Sequence, residues 1–419
     1  MPPEPNPTRR ARAGSGLARG DRLSALPDCL LHAVLSFLPG PQVVRTCVLS
    51  RRWRDLWRTA PCINIDTGEF GITYGSTGSE LTQQWSKFED FTTNLLLFRS
   101  AVSLDMFRLN SRVFTGHCLR DVDRWVRRGI KYYPQVLEVL VTVTRGAGFL
   151  FPHLGASSCR LKRLHLYGAM LDHHFAGQIQ SGCPILEELV LRNCIHNFQE
   201  ITSHTLKKLI MDDTHNFSKR FVITAPSLEY LQISVSYGYY SNGISLNVTD
   251  SLIKAFIYLR CQGEAFSLEN QRSLLVDLCN VSDLVVGGFR MKAMLVEELD
   301  TLPMYRNMQT LSLDECFYDN CDLNDKLEAL GSFLQNAPCL KKVTLQRCMF
   351  QNDSETEGHI VRKSIRLPHQ CRQTFQCEKL KFVEVIYEDD HDNQLIELLW
   401  GIGRILPNAT IILTNELVD

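Results

Sequence analysis

The stretch Leu186-Glu187-Glu188-Leu189-Val190-Leu191-Arg192-Asn193-Cys194 decides how this 419-residue chain folds. Its end alternates, Leu189 and Leu191 on one side and Val190 on the other, which is the period of a β-strand. The leading spacing recurs at Leu104-Phe107-Leu109, Leu161-Leu164-Leu166, Leu206-Leu209-Met211 and Leu228-Leu231-Ile233. It returns at Val281-Leu284-Val286, Met308-Leu311-Leu313, Leu340-Val343-Leu345 and Leu380-Val383-Val385, with Leu137-Leu140 and Leu252-Ala255-Ile257 as weaker copies. From Leu137 the starts fall 24, 25, 20, 22, 24, 29, 27, 32 and 40 residues apart. Such an interval holds one short strand plus a return helix or irregular segment. No copy can bury its apolar side alone, so the copies must stack.

Three copies place a cysteine three residues beyond the last apolar position: Cys194, Cys316 and Cys348. That is the leucine-rich-repeat pattern, in which Asn or Cys takes a buried place after each strand. The expected fold class is α/β: a right-handed, irregular leucine-rich-repeat solenoid over residues 101–365, with parallel strands on its concave face. The two side chains flanking the fourth position of the motif, and the one after its last apolar position, point away from the core by strand alternation. The concave face is therefore expected to present Arg163, His165 and Tyr167, then Glu188 and Arg192, then Lys208 and Asp212. Tyr230, Gln232 and Ser234 follow, then Lys254, Phe256 and Tyr258, with Tyr237-Gly238-Tyr239-Tyr240 at the edge. Tyr and Arg are enriched in binding hot spots, so Arg163 to Tyr258 is the candidate target-binding patch.

The composition agrees with a folded binder. Hydrophobic residues make up 44% of the chain, and 45 Lys+Arg stand against 46 Asp+Glu. Disorder throughout is excluded, and so is a protein whose main business is to coat nucleic acid or an anionic membrane. Apolar runs such as Leu95-Leu96-Leu97-Phe98 fall far short of a bilayer span. The near-zero total hides an asymmetry: residues 1–60 hold 10 Arg, no Lys and 4 acids, a net of +6.

The chemistry-bearing motifs are sparse. Fifteen cysteines include no Cys-x-x-Cys pair, and no apolar signal-peptide core opens the chain. Reduced, mostly buried thiols in the nucleus or cytoplasm are expected, which leaves the Asn-x-Ser/Thr sites without meaning. His369, Cys371 and Cys377 with Cys339 and Cys348 are too scattered for a zinc site, so no metal is expected. Gly68, Gly71, Gly75 and Gly78 lack the Gly-Lys-Ser/Thr of a phosphate loop. Glu388-Asp389-Asp390-His391-Asp392 lacks the spacing of a calcium loop and reads as a solvated acidic turn. His173-His174 reads as exposed and structural. No catalytic residue and no cofactor is assigned.

Residues 1–20, rich in Pro and Arg, are expected to be a disordered basic tail. In residues 21–62, Leu30, Leu31, Val34, Leu35 and Leu38 recur at helical spacing between Pro27 and Pro39. A second short helix is expected over Gln42–Val48 and a third over Ser50–Trp57. This module, Leu26-Pro27-x-x-Leu30-Leu31-x-x-Val34-Leu35-Ser36-Phe37-Leu38 with Val44-Arg45-Thr46-x-Val48-Leu49-Ser50-Arg51-Arg52-Trp53-Arg54-x-Leu56-Trp57, resembles a plant F-box. The resemblance implies a three-helix module docking on a Skp-type adaptor, and through it on the cullin and RING subunits of a ubiquitin ligase. The implied adaptor-binding residues are Leu26, Pro27, Leu30, Leu31, Val34, Leu35, Leu38, Val44, Val48, Leu49, Trp53, Leu56 and Trp57. Cys29 stands where many relatives have an acid, at a position expected to face solvent.

Residues 63–100 read as a connector with a helix from Trp85 to Phe98. Residues 366–419, with Leu380 to Val385 and a helix from Asn393 to Leu406, resemble the FBD-like segment that ends many plant F-box proteins with leucine-rich repeats. The function implied is the substrate-recognition subunit of a Skp-cullin-F-box ligase, with no nucleic acid and no membrane among its partners. The repeats alone leave open a scaffold that sequesters a partner protein without degrading it, and the target is not specified by any motif.

Overall fold

The computed structural model describes residues 23, 25–73, 78–100, 103–144, 148–155, 158–216, 220–235, 240–248, 251–259, 266–294, 303–317, 322–348, 377–387 and 392–415. The basic tail, Gly75, Tyr237 to Tyr239, His369, Cys371 and Glu388 to His391 lie outside them. Thirteen strands form one parallel sheet in which every strand pairs with the next one in the chain. They are Cys62–Asp66, Met106–Val113, Val136–Val143, Arg163–Tyr167, Glu188–Arg192, Lys208–Asp212, Tyr230–Val235, Lys254–Leu259, Asp283–Gly287, Thr310–Asp314, Lys342–Gln346, Phe382–Tyr387 and Thr410–Asn415. Parallel neighbours force a return segment after each strand, and the uniform order makes the sheet a solenoid.

The apolar positions of the repeat set the register. Leu164 pairs with Leu189, Leu189 with Leu209, and Leu209 with Leu231, so one row of leucines runs across the strands. That row and the one two residues later are buried in a single core running from Ile63 to Leu406. The strands ending at Arg192, Asp212, Asp314 and Gln346 each run into a sharp turn through a left-handed residue: Asn193, Asp213, Glu315 and Arg347 have φ of 49, 48, 49 and 47°. Gly168 serves the same place at φ 69°, where an added Cβ would lie 2.0 Å from the Val141 carbonyl oxygen. The repeat cysteines follow these turns. Cys194 Sγ donates to the carbonyls of Leu166 and Arg192, Cys316 to those of Val286 and Asp314, and Cys348 to those of Leu313 and Gln346.

Repeat length governs what returns the chain. Helices Phe175–Gly182, Leu268–Asp277 and Leu323–Gln335 fill repeats of 25, 29 and 32 residues. The shorter central repeats instead return through extended pieces, which pair as Glu200–Thr202, Phe221–Thr224 and Ile244–Asn247 in a three-stranded parallel sheet. A third sheet of four strands joins His215–Asn216, Ile195–His196, Ala169–Leu171 and Phe149–Leu150.

Several expectations need correction. The sheet begins at Cys62, inside the segments read as F-box and connector, and Ala60-x-x-Ile63-x-Ile65 is the first copy of the repeat, all three buried. In the third strand Leu137 pairs with Leu164 and therefore holds the fourth position of the motif, not the first. Strand alternation then turns Leu140 to the open face beside Tyr167, and Val139 and Val141 to the core. Ser234 is buried, and Tyr240, expected at an exposed edge, is in the core. Its hydroxyl lies 2.8 Å from His196 Nε2 and 2.7 Å from Thr214 Oγ1, which is how a buried phenol is satisfied. The connector helix spans Gly78–Leu97 and returns the chain from the first strand to the second, with Trp85 and Phe88 packed on Trp125 of the next return helix, Gly116–Ile130.

Candidate functional site

The helical module starts at helix Asp28–Ser36, whose first turn hangs on the Pro27 carbonyl through the amides of Leu30 and Leu31. One side, Leu31 and Leu35, packs with Val43, Trp53, Leu56 and Ala60 into a small core of its own. A short helix, Gly40–Arg45, runs into a 3-10 turn at Thr46–Val48. In place of the expected third α-helix, residues 50–59 form successive turns closed by i to i+3 hydrogen bonds: Trp53 to Ser50, Leu56 to Trp53 and Thr59 to Leu56. Inward residues Trp53 and Leu56 are three apart, a spacing that a 3-10 path aligns on one side. Arg52 pairs with Asp28 at 2.5 Å and ties these turns to the first helix.

The other side of the module is apolar and exposed. Leu30, Val34 and Phe37 follow one another at helical spacing, and Val48 and Leu49 stand on the next turn. Phe37 is 86% and Val48 82% exposed, values at which neither contributes to this chain's own core. The residues implied as adaptor contacts thus divide. Pro27, Leu30, Val34, Val48 and Leu49 are on the surface. Leu31, Leu35, Trp53 and Leu56 are inside the module and shape it, Leu26, Leu38 and Trp57 are packed partly against them, and Val44 leans on the solenoid core. Phe37 completes the patch, and its place seven residues after Leu30 was the signal for it.

Module and solenoid are joined tightly. Gly40 lies so close that an added Cβ would be 2.8 Å from the Asn64 carbonyl oxygen in the first strand. Arg99, two residues after the connector helix, donates to the carbonyls of Trp57 (3.2 Å) and Ala60. Ser100 N–H adds a bond to the Arg58 carbonyl at 3.2 Å. Burial pushes the Arg99 guanidinium down to about 10.

On the open face of the sheet, register brings the candidate target residues into three rows. Arg163, Glu188, Lys208 and Tyr230 share one. Arg108, Glu138, His165, Val190, Ile210, Gln232 and Phe256 share the middle one. Tyr167, Arg192 and Asp212 lie on the third, to which Tyr258 also belongs through its partner Ser234. Arg108 meets Glu138 at 2.5 Å, His165 lies 3.5 Å from Glu138 and 3.3 Å from Glu188, and Lys208 reaches Glu188 at 2.8 Å. The hydrogen bond from His165, joined by Arg108, holds the Glu138 carboxyl below its ordinary range. Burial would raise Glu188, but the Lys208 hydrogen bond and the charges of His165 and Arg163 outweigh it, so Glu188 also stays ionised. Lys208 Nζ sits 5.8 Å from the Tyr230 ring centroid, and Tyr230 donates to Gln232 at 3.1 Å.

Farther along, the Tyr258 hydroxyl donates to Glu315, and Arg347 holds both Asp314 (3.0 Å) and Glu315 (3.6 Å). Glu138 escaped sequence reading because the misplaced register at Leu137 turned the wrong side chains outward, whereas Arg108 flanks Phe107 in a correctly read copy and was missed because the candidate patch was begun at Arg163. His173 and His174 are exposed, with ring centroids 3.8 Å apart, at the start of helix Phe175–Gly182. Among the described residues no helix is long and apolar enough to cross a membrane.

Comparison with known proteins fits this geometry. Residues 23–63 match the F-box domain family, which spans the whole helical module and ends within the first strand. A meiotic F-box protein of Oryza sativa subsp. japonica is 29% identical over 89% of this chain and 82% of its own length. An F-box/FBD/LRR-repeat protein of Arabidopsis thaliana is 27% identical over 84% and 81%, and an FBD-associated F-box protein from the same plant is 27% identical over 78% and 76%. A helical docking module fused to a repeat solenoid defines the class. The chain carries an F-box domain, and over most of its length it is similar to plant F-box proteins with leucine-rich repeats and FBD segments.

Proposed function

We propose that the chain is the substrate-recognition subunit of a Skp-cullin-F-box ubiquitin ligase, working in the nucleus or cytoplasm. The exposed apolar patch of the F-box holds a Skp-type adaptor, which links it to cullin and RING subunits. The open face of the sheet holds the target protein. The chain supplies no catalytic group of its own, and transfer is accelerated by bringing the target close to a charged partner enzyme. The observation that carries this reading is the patch itself. Leu30, Val34, Phe37, Val48 and Leu49 are all exposed on a module whose Leu31, Leu35, Val43, Trp53 and Leu56 are already packed into a core. Large apolar side chains clustered in water mark a protein contact.

The test is Phe37→Asp with Val48→Asp, which places two charges in the patch and leaves the inner core of Leu31, Leu35 and Trp53 untouched. The variant is expected to melt with the parent and to lose co-purification of a plant Skp-type adaptor. Undiminished adaptor binding by the folded variant would overturn the docking claim.

A further inference from the structure

The charges on the open face are layered. Arg108 has 46% of its side chain exposed above Glu138 at 10%, and Arg163 has 61% above Glu188 at 17%. The same order holds for Lys208 over Glu188, Lys254 over Asp283, Lys342 over Glu384 and Arg347 over Asp314. The carboxylates lie down against the strands, and the longer cationic side chains lie over them with their ends outward. A face that is nearly neutral by count therefore shows cations to anything resting on it.

The spacing is regular at the first half of the sheet. Cations come from the strands Met106–Val113, Arg163–Tyr167, Lys208–Asp212 and Lys254–Leu259, and acids from Val136–Val143 and Glu188–Arg192 between them. Alternate strands of a sheet are roughly 10 Å apart. The floor between the charges is apolar or aromatic at Val190, Ile210 and Phe256 of the middle row, with Gln232 set between the last two, and is bordered by Tyr230 and Tyr258. Exposed Arg192 adds a further cation beside Tyr167.

We infer that the occupant of this face is a protein segment bearing Asp or Glu side chains around an apolar anchor. Its carboxylates meet Arg163, Lys208 and Lys254, and its anchor rests on Ile210 and Phe256. This inference rests on the reading of the sheet face as the target surface. Glu138 and Glu188, held ionised beneath the cations, keep Arg163, His165 and Lys208 in place and repel an anion that would slip below them. A basic segment would meet the cations first.

The test is selection of a randomised twelve-residue peptide display library on the purified full chain, in parallel with Arg163→Gln/Lys208→Gln/Lys254→Gln. Arg163 and Lys254 have 61% and 60% of the side chain exposed and Lys208 41%, and an unchanged melting curve checks that the triple variant folds. The expected outcome is a pool enriched in Asp and Glu around an aliphatic or aromatic residue. Its winners should bind the triple variant about tenfold more weakly, the loss expected from three partly exposed ion pairs. Raised salt should weaken the parent's binding more than the variant's. An empty pool, a pool without acidic excess, or winners that bind both proteins equally would overturn the inference. Phosphoserine versions of the winners binding more than tenfold tighter would overturn the carboxylate assignment in favour of a phosphorylated target. Adaptor co-purification, scored on the same protein, reports separately on the ligase reading.

Discussion

Replacing Gly287 by alanine should destabilise the protein in one background and stabilise it in another. Gly287 ends the strand Asp283–Gly287, where its backbone is extended and pairs with Tyr258 on one side and Asp314 on the other. The Tyr258 ring lies flat over it: an added Cβ would be 2.1 Å from Tyr258 Cδ2 and 2.4 Å from Cε2. In the parent, Gly287→Ala must push the ring off the sheet and break its hydrogen bond to Glu315. Overpacking of this kind costs about 1–3 kcal/mol. In a Tyr258→Ala background the ring is gone, and with it the three atoms that an added Cβ meets most closely. There the same change should stabilise by about 0.4–1 kcal/mol, because alanine restricts the unfolded chain where glycine does not. The coupling between the two sites is then of the order of 2 kcal/mol, within the range for residues in contact. Urea denaturation of the parent, both single variants and the double variant measures it from the four midpoints. If Gly287→Ala moves the midpoint in the same direction in both backgrounds, the ring does not lie where it is described.

Two further outcomes follow from buried groups. Burial pushes the His196 imidazole from 6.5 down to about 4, so the folded state keeps it neutral while the unfolded chain takes up a proton. Stability from this group is complete above pH 6.5 and is lost as pH falls toward 4, by up to about 3 kcal/mol. His196→Gln should flatten the urea-midpoint curve over that window, and an unchanged slope would refute the assignment. Burial pushes the thiols of Cys183 and Cys194 up to about 12, so they hold almost no thiolate at pH 8. Iodoacetamide on the native protein should therefore label exposed Cys29 and Cys159 and reach Cys183 and Cys194 only after unfolding, as peptide mass spectrometry would show. Native labelling of Cys194 at the rate of Cys29 would contradict its place behind the strand.

Most of the sheet was readable because its apolar positions have one use. Leu164, Leu189, Leu209 and Leu231 are all buried in register, and nothing in the sequence competes with that reading. Reading failed where a repeat position is held by a residue with several uses. Ala60 opens the first copy, and alanine is too common to signal a strand start. At Val136-Leu137-Glu138-Val139-Leu140-Val141 every second and every third residue is apolar, so spacing alone permits two registers. Only pairing with Leu164 chooses between them. The two-residue strands at Ile195–His196 and His215–Asn216 are too short to carry a period. In the F-box the apolar residues were found at once, but helical spacing does not say which side faces its own core. Leu31 and Leu30 are neighbours in sequence, yet the first is fully buried and the second half exposed.

The bond from Arg99 to the Trp57 and Ala60 carbonyls, with Gly40 pressed on Asn64, makes the F-box the zeroth rung of the sheet. Strands stack about 4.8 Å apart, so thirteen of them form a graduated scale nearly 60 Å long. On the proposed reading of the chain as a ligase subunit, the rung on which a target rests fixes how far its lysines stand from the ubiquitin donor. A shift of two rungs moves the target by roughly 10 Å, more than the length of a lysine side chain. On that reading, choice of lysine is a question of address along a ruler whose origin is the junction made by Arg99, Ser100 and Gly40.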